Sequence, residues 1–118
     1  MQYMLIACET ADEVARRDGP DAAAYWGAWT AYSQAIAQSG VLLSGNALKP
    51  PNTATTVRLK DGHRHVEDGP YADAKEQLGG YFIIDVPDLD KALEWAARMP
   101  CAGAGAVEVR PVLEMQAG

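Results

Sequence analysis

The chain has 118 residues, of which 48% are apolar and 22% are charged, and these values exclude a disordered or fibrous protein. The length suits one hydrophobic core, so we expect a single domain over residues 1–118. Ten Lys and Arg against sixteen Asp and Glu give a net charge of −6. No segment is strongly basic, which argues against nucleic-acid binding because that requires clustered cations.

The chain also lacks the patterns of export and of membrane insertion. Residues 1–8 are apolar but carry no basic segment before a longer apolar run, as a signal peptide does. No stretch approaches the ~20 apolar residues that span a bilayer. Cys8 and Cys101 are far apart in the sequence and favour reduced thiols. We therefore expect a cytoplasmic protein without a membrane segment.

The first half predicts a strand, a helix and a second strand. Residues 2–8 are apolar at both parities, which predicts a strand that is covered on both faces. A helix is expected over residues 20–39, because Pro20 suits its first position and Gly40 its C-terminal stop. Residues 41–48 predict the next strand. The apolar stripe of the helix predicts core rather than a binding surface, and it consists of Ala22, Tyr25, Trp29, Tyr32 and Ile36.

The second half begins with a predicted β-hairpin. Its arms are residues 54–60 and 63–67, joined by the tight-turn pair Asp61-Gly62. Residues 81–86 are strongly β-prone and predict another strand.

One more helix and one more strand complete the second half. Asp88 can cap the helix, which ends at Pro100, and residues 107–114 predict the last strand. One predicted stripe of the helix consists of Leu89, Ala92, Leu93 and Ala96.

This order of elements predicts an α+β, ferredoxin-like split β-α-β sandwich with an extra β-hairpin, whose helices cover one face of the sheet. Parity assigns to the covered face Phe82, Ile84, Val86, Val57, Leu59, Val107 and Val109. It assigns to the open face Thr56, Arg58, Tyr81, Ile83, Asp85, Glu108, Arg110 and Val112. Because this open face is too apolar for water and too charged for a core, we expect a homodimer that closes over it and leaves a partly polar pocket.

Residues 68–81 form a polar, turn-rich segment, too long for a minimal hairpin connection, with the sequence DGPYADAKEQLGGY. Asp68 can form a turn before Gly69-Pro70, and Gly79-Gly80 permits a close backbone approach. The segment resembles the DGPF motif of the YCII-related domain family, with Tyr71 in the position of the phenylalanine.

The resemblance extends along nearly the whole chain, through residues 4–5, 40–41, 48–50, 54–58, 75–80, 94–98 and 107–111. It implies a ferredoxin-like fold of the dimeric α+β barrel type. It also implies that some members occur beside extracytoplasmic-function sigma factors, and that related branches carry a His–Asp site. The predicted first strand and first helix contain no His, so that dyad is not transferred to this chain.

Two kinds of charged group are candidates for a site. Asp68 is the candidate catalytic acid or base, or else it only fixes the turn. Arg58 and Arg110, expected on adjacent-facing strands, can hold a ligand carboxylate or enolate by bidentate hydrogen bonds. They can equally pair with Glu76 and Glu108. Glu76 itself is a candidate ligand-binding residue or a solvated loop charge.

Tyr71 and Tyr81 can supply phenolic hydrogen bonds at the mouth of a pocket, or they can be buried with satisfied hydroxyl groups. His63 and His65 alternate on a predicted strand and can start a metal site, but no third ligand stands at a useful spacing. We therefore expect no metal. No phosphate-binding loop or dinucleotide motif is present, so we expect no cofactor either.

Together these features predict a small homodimer that binds a small anionic or phenolic molecule in a pocket on the open sheet face. If the protein is an enzyme, proton transfer by an isomerase or a lyase suits these groups. The alternative is a non-enzymatic interaction or regulatory protein, with a partner such as a sigma factor. The sequence leaves both classes open, together with the identity of the ligand.

Overall fold

A computed structural model describes residues 1–115 of the chain. The elements in chain order are β1 (Gln2–Thr10), α1 (Ala11–Ala15), α2 (Ala22–Gln38), β2 (Leu42–Ala47), a 3₁₀ helix (Pro51–Thr53), β3 (Thr55–Lys60), β4 (His63–Asp68), β5 (Glu76–Asp85), α3 (Leu89–Ala97) and β6 (Ala106–Pro111). Over these 115 residues, no helix is both long and apolar enough to cross a membrane.

Four strands form one antiparallel sheet in the order β2-β5-β1-β6. With the hairpin strands set aside, this is the strand order of a ferredoxin-like split β-α-β fold. The predicted mixed α+β class is confirmed. The strands β3 and β4 pair with each other in a separate two-stranded sheet.

The hydrophobic core lies between the four-stranded sheet and the helices α2 and α3. Alternate side chains of β1 point into it, among them the fully buried Leu5. Tyr32 of α2 belongs to the core, and the centroid of its ring lies 5.4 Å from that of Phe82 and 6.2 Å from that of Trp95. Its hydroxyl donates to the carbonyl oxygen of Trp95 at 2.8 Å, so this buried phenol is satisfied.

Only two of the four residues in the predicted apolar stripe of α3 are buried. Ala92 and Ala96 are buried, whereas Leu89 and Leu93 are each almost half exposed. The helix packs closely through its small residues, and the partly buried Trp95 supplies the bulk that the leucines do not. Asp88 caps the helix as predicted, because its carboxylate accepts from the Lys91 backbone N–H at 3.0 Å.

We call residues 55–68 the arm. Asp61 and Gly62, both with positive φ, form the predicted tight turn at its tip. The assignment of Val57 and Leu59 to the helix-covered face is wrong, since these side chains are 57% and 75% exposed. The physical reason is that β3 does not join the four-stranded sheet, so no helix lies over it.

Candidate functional site

Three buried polar side chains form a cluster on the helix side of the sheet. Glu9 from β1, Arg17 after α1 and Tyr25 from α2 are 1%, 9% and 4% exposed. Arg17 Nη2 lies 2.7 Å from Glu9 Oε1, and Arg17 Nε donates to the Tyr25 hydroxyl at 3.0 Å. That hydroxyl in turn donates to Glu9 Oε2. The three groups therefore form a closed ring of charge-assisted hydrogen bonds, which we call the Glu9 cluster.

The guanidinium of Arg17 also joins this cluster to the backbone of β5 and of the residue that follows β2. Its Nη1 donates to the carbonyl oxygen of Leu48, and its Nη2 donates to that of Gly79 at 3.2 Å. Every guanidinium nitrogen therefore has an acceptor. One side chain fixes the end of β2, the middle of β5 and the first turn of α2 relative to one another.

The backbone of β5 makes room for the Glu9 carboxylate. The register of β1 and β5 pairs Ala7 with Gly80 and Cys8 with Leu78, which leaves Gly79 as an extra residue in a β-bulge. The Glu9 carboxylate occupies the space where a Gly79 side chain would stand. The predicted close approach at Gly79-Gly80 is therefore confirmed.

Burial and these hydrogen bonds set the charges of the cluster. Burial and the hydrogen bond to Glu9 raise the pKa of Tyr25 to about 12, so its phenol remains protonated at neutral pH. Burial acts to lower the pKa of Arg17, but the hydrogen bonds to Tyr25 and Glu9 outweigh burial and raise it. The cluster thus contains a protonated phenol and a permanent cation beside a carboxylate.

The Glu9 cluster borders a cavity of about 450 Å³ between α2 and the β2–β5 side of the sheet. Five aromatic residues line the cavity: Tyr25, Trp26, Trp29, Tyr81 and Phe82. The rings of Tyr25 and Trp26 meet edge to face at 4.9 Å. The aromatic stripe predicted as core is therefore divided, since Tyr32 lies in the core while Tyr25 and Trp29 also face the cavity. Its size and aromatic lining are typical of a small-molecule site.

The sequence-predicted residues Arg58, Tyr71 and Asp68 lie on the arm or just after it. The Arg58 guanidinium stands 5.0 Å from the centroid of the Tyr71 ring, as in a cation–π contact. Asp68 ends β4 and is exposed. The structure thus brings Arg58 and Tyr71 together at the surface, away from the Glu9 cavity.

The other three predicted residues, Glu76, Tyr81 and Arg110, lie on the four-stranded sheet. They pair in register with Thr10, Ile6 and Met4 of β1. Because alternate residues of a strand share a face, these partners place the three side chains on the open face. Of the six predicted residues, Tyr81 alone also belongs to the cavity lining.

Each of two open-face residues has a polar partner nearby. The Tyr81 hydroxyl accepts from Asn46 Nδ2 at 2.9 Å. Arg110 Nε lies 3.7 Å from Glu108 Oε2 in an exposed ion pair.

The expectation that Arg58 and Arg110 stand on adjacent-facing strands is wrong. Arg58 belongs to the arm, whereas Arg110 lies on β6 at the far edge of the other sheet. The cavity lies on the helix-covered side of the sheet. The pocket predicted between the open face and a second copy stays a prediction. His63 and His65 share one face of β4, and no group of three or more metal-ligating side chains comes together within residues 1–115.

Comparisons with known proteins agree with this architecture. A family model described as the YCII-related domain matches residues 1–116. An uncharacterised protein of Rhizobium meliloti (strain 1021) is 38% identical over 85 residues, which are 70% of this chain and 68% of the relative.

A solved structure shares the fold at low sequence identity. The 5-chloro-2-hydroxyhydroquinone dehydrochlorinase of Burkholderia phenoliruptrix AC1100, in complex with 2,5-dihydroxybenzoquinone, is 14% identical and has a TM-score of 0.56. The match covers 98% of this chain and 96% of that enzyme. The family model spans the chain almost from end to end, and the chain therefore belongs to the YCII-related domain family.

Proposed function

We propose that the protein binds a small organic molecule, anionic or phenolic, in the cavity above the Glu9 cluster. The observation that carries this proposal is a cavity of about 450 Å³ with aromatic walls beside a buried carboxylate, guanidinium and phenol. Buried charged groups are expensive to desolvate, so a cluster of them beside a cavity is a reasonable sign of function. The dehydrochlorinase of similar fold is described in complex with a small hydroxylated quinone, which is compatible with such a ligand.

The chemistry that fits this cavity is proton transfer, as in an isomerase or a lyase. A carboxylate next to a bound ligand can accept a proton from it. In this proposal Glu9 is the base, Arg17 holds it in place and Tyr25 keeps its second oxygen oriented. The Glu9→Gln variant should bind a ligand but lose turnover.

Binding can be tested by filling the cavity. Ser33 lies half-buried on α2 and lines it, so Ser33→Phe should occupy the space that a ligand needs. Wild-type protein is screened by thermal shift against carboxylates, phenols and quinones, where a ligand at ~100 times its Kd adds about 2.7 kcal/mol of stability. Any shift should vanish in Ser33→Phe and persist in Ala24→Phe, which lies on the same helix outside the lining. A shift unchanged in Ser33→Phe would remove the cavity as the site.

We also propose that the protein is a cytoplasmic homodimer. Both cysteines are free thiols, as expected in a reducing compartment. The exposed apolar side chains of the arm favour a contact with a second copy. Arg58 and Asp68 lie in a different sheet from Arg110 on one chain, so in this proposal a second copy brings the two groups together in a site. Loss of turnover in Asp68→Asn, with Glu9→Gln unaffected, would favour that second site.

The alternative is an interaction protein without catalytic activity. The same exposed arm supports it, because an unpaired apolar face is a common protein-binding surface. A regulatory partner such as a sigma factor would then cover the arm in place of a second copy. Sedimentation of the purified protein separates the two proposals, since self-association needs no other protein.

A further inference from the structure

We infer that the cavity selects neutral, planar, hydroxylated aromatic molecules and discriminates against anions of the same shape. This inference rests on the proposed function, namely that the cavity is a ligand site. It narrows the proposed ligands from anionic or phenolic molecules to neutral ones. This narrowing follows from the charged groups at the cavity and the side chains that line it.

The charge balance leaves no free cation for an anionic ligand. Arg17 is the one cation among the cavity-lining residues that the structure describes. Its Nε donates to Tyr25, its Nη1 to the Leu48 carbonyl oxygen, and its Nη2 to Glu9 and the Gly79 carbonyl oxygen. These bonds engage four of the five guanidinium N–H groups, and Glu9 already balances the charge of Arg17. An anion entering the cavity would therefore lose water for at most one remaining N–H donor, and it would meet the negative charge of Glu9.

The walls suit a flat, uncharged ring. Trp26, Trp29 and Phe82 line the cavity together with the ring of Tyr25, and such rings stack on or meet the edge of another aromatic group. Apart from the Glu9 cluster and Tyr81, the polar side chains on the same lining are neutral: Thr30, Ser33 and Gln34 from α2, and Asn46 from β2. Hydroxyl and amide groups of this kind can pair with a ligand hydroxyl, but they compensate a full charge poorly.

The test compares two probes that have nearly the same shape and differ in charge, 4-hydroxybenzamide and 4-hydroxybenzoate. Binding to the wild-type chain is measured by titration calorimetry at pH 7. We expect the neutral amide to bind at least about tenfold more tightly. Equal or tighter binding of the carboxylate overturns this inference but leaves the cavity as a ligand site. If neither probe nor hydroquinone binds, the proposed function fails and the inference fails with it.

A charge-removing variant tests the cause of the selectivity. Glu9→Gln keeps the shape of the side chain and leaves the Arg17 charge uncompensated, so the carboxylate probe should gain about tenfold in affinity over wild type. The matched control is Glu114→Gln, which changes the net charge equally at an exposed position outside the cavity. An unchanged ratio of affinities in a folded Glu9→Gln protein would contradict the inference. If Glu9→Gln does not fold, the comparison of the two probes on the wild-type chain decides whether the inference holds.

Discussion

At the scale of single residues, the Glu9 cluster explains why β5 contains a glycine where a strand would ordinarily carry a side chain. Gly79 is buried, and the Glu9 carboxylate lies in the space of its missing Cβ. Because Arg17 and Tyr25 hold that carboxylate from the other side, it cannot turn away without losing two hydrogen bonds. The cluster and the bulge are therefore one packing unit.

The Gly79→Ala variant should lower the free energy of unfolding by about 1–3 kcal/mol, the usual cost of overpacking a tight site. Urea denaturation measures it. The control is Gly27→Ala on α2, where the added methyl would meet no atom within 4 Å. That variant should gain about 0.5–1 kcal/mol from helix propensity. If Gly79→Ala left the free energy of unfolding unchanged, Glu9 would not be held as described.

The cluster also predicts how stability depends on alkaline pH. The pKa of Tyr25 is raised to about 12 in the folded chain, against about 10 in the unfolded one. The folded state thus keeps a proton that the unfolded state loses. This contribution to stability is complete below pH ~10 and is lost as the pH rises toward about 12.

Unfolding free energies measured across this range should fall less steeply for Tyr25→Phe than for wild type. Part of the fall should persist in the variant, since burial also raises the pKa of Cys101 to about 12. Identical slopes in the two proteins would show that Tyr25 does not titrate as the geometry requires.

The sequence contains a signal that Glu9 is buried. The predicted first strand ended at residue 8 and therefore left this residue out. Tyr3, Leu5 and Ala7 alternate inward, and Glu9 continues the same parity, so an acid stands where the next core residue would be. An acid in that position is rarely buried without a partner. Arg17 offers no comparable signal, because it lies in an irregular stretch and reaches Glu9 only through tertiary packing.

At the scale of elements, cap and turn residues predicted the ends of helices and the position of the hairpin turn more accurately than parity predicted which face of a strand is buried. Asp88, Gly40 and the pair Asp61-Gly62 stand where capping and turn rules place them. The orientation of β3 was wrong, because parity shows which side chains share a face but not which sheet receives the strand. The short helix α1 was absent from the predicted elements, although its capping box of Thr10 and Glu13 is a sequence-level signal.

The cap of α3 gives a direct test at this scale. Asp88→Ala removes the acceptor of the Lys91 backbone N–H and should cost about 1 kcal/mol of stability. Glu94→Ala on the same helix removes only an exposed ion pair with Lys91 and should change stability by less than about 0.5 kcal/mol. Thermal unfolding of both variants measures the difference. Equal losses would contradict the capping role.

At the scale of the whole molecule, the chain is more extended than its length requires. Its radius of gyration is 16.1 Å, whereas a compact domain of this length has about 13.5 Å. The arm contributes an isolated two-stranded sheet, a structure that is marginally stable in water. One of its faces carries Val57, Leu59 and Val66, all more than half exposed, together with the charged Arg64 and Asp68. Such a surface favours burial against a second copy.

Sedimentation equilibrium tests that expectation. The wild-type chain should be a dimer, and Leu59→Asp should shift it toward the monomer because it replaces the most exposed apolar side chain of this face by a charge. The control is His65→Asp, which places the same charge on the opposite face of the arm, and it should remain dimeric. A monomeric wild type, or equal behaviour of the two variants, would count against self-association through the arm.

The joining of Leu48 to Gly79 has a consequence for chain engineering. The Leu48 backbone N–H donates to the Gly79 carbonyl oxygen at 2.9 Å, and Arg17 bonds both carbonyl oxygens. The segment from 49 to 75 therefore leaves the four-stranded sheet and returns to it close to this contact, while residues 76–78 pair with β1. A short turn that replaces this segment should leave the sheet and its helices able to fold, so the arm is a module that can be exchanged without rebuilding the domain that carries it.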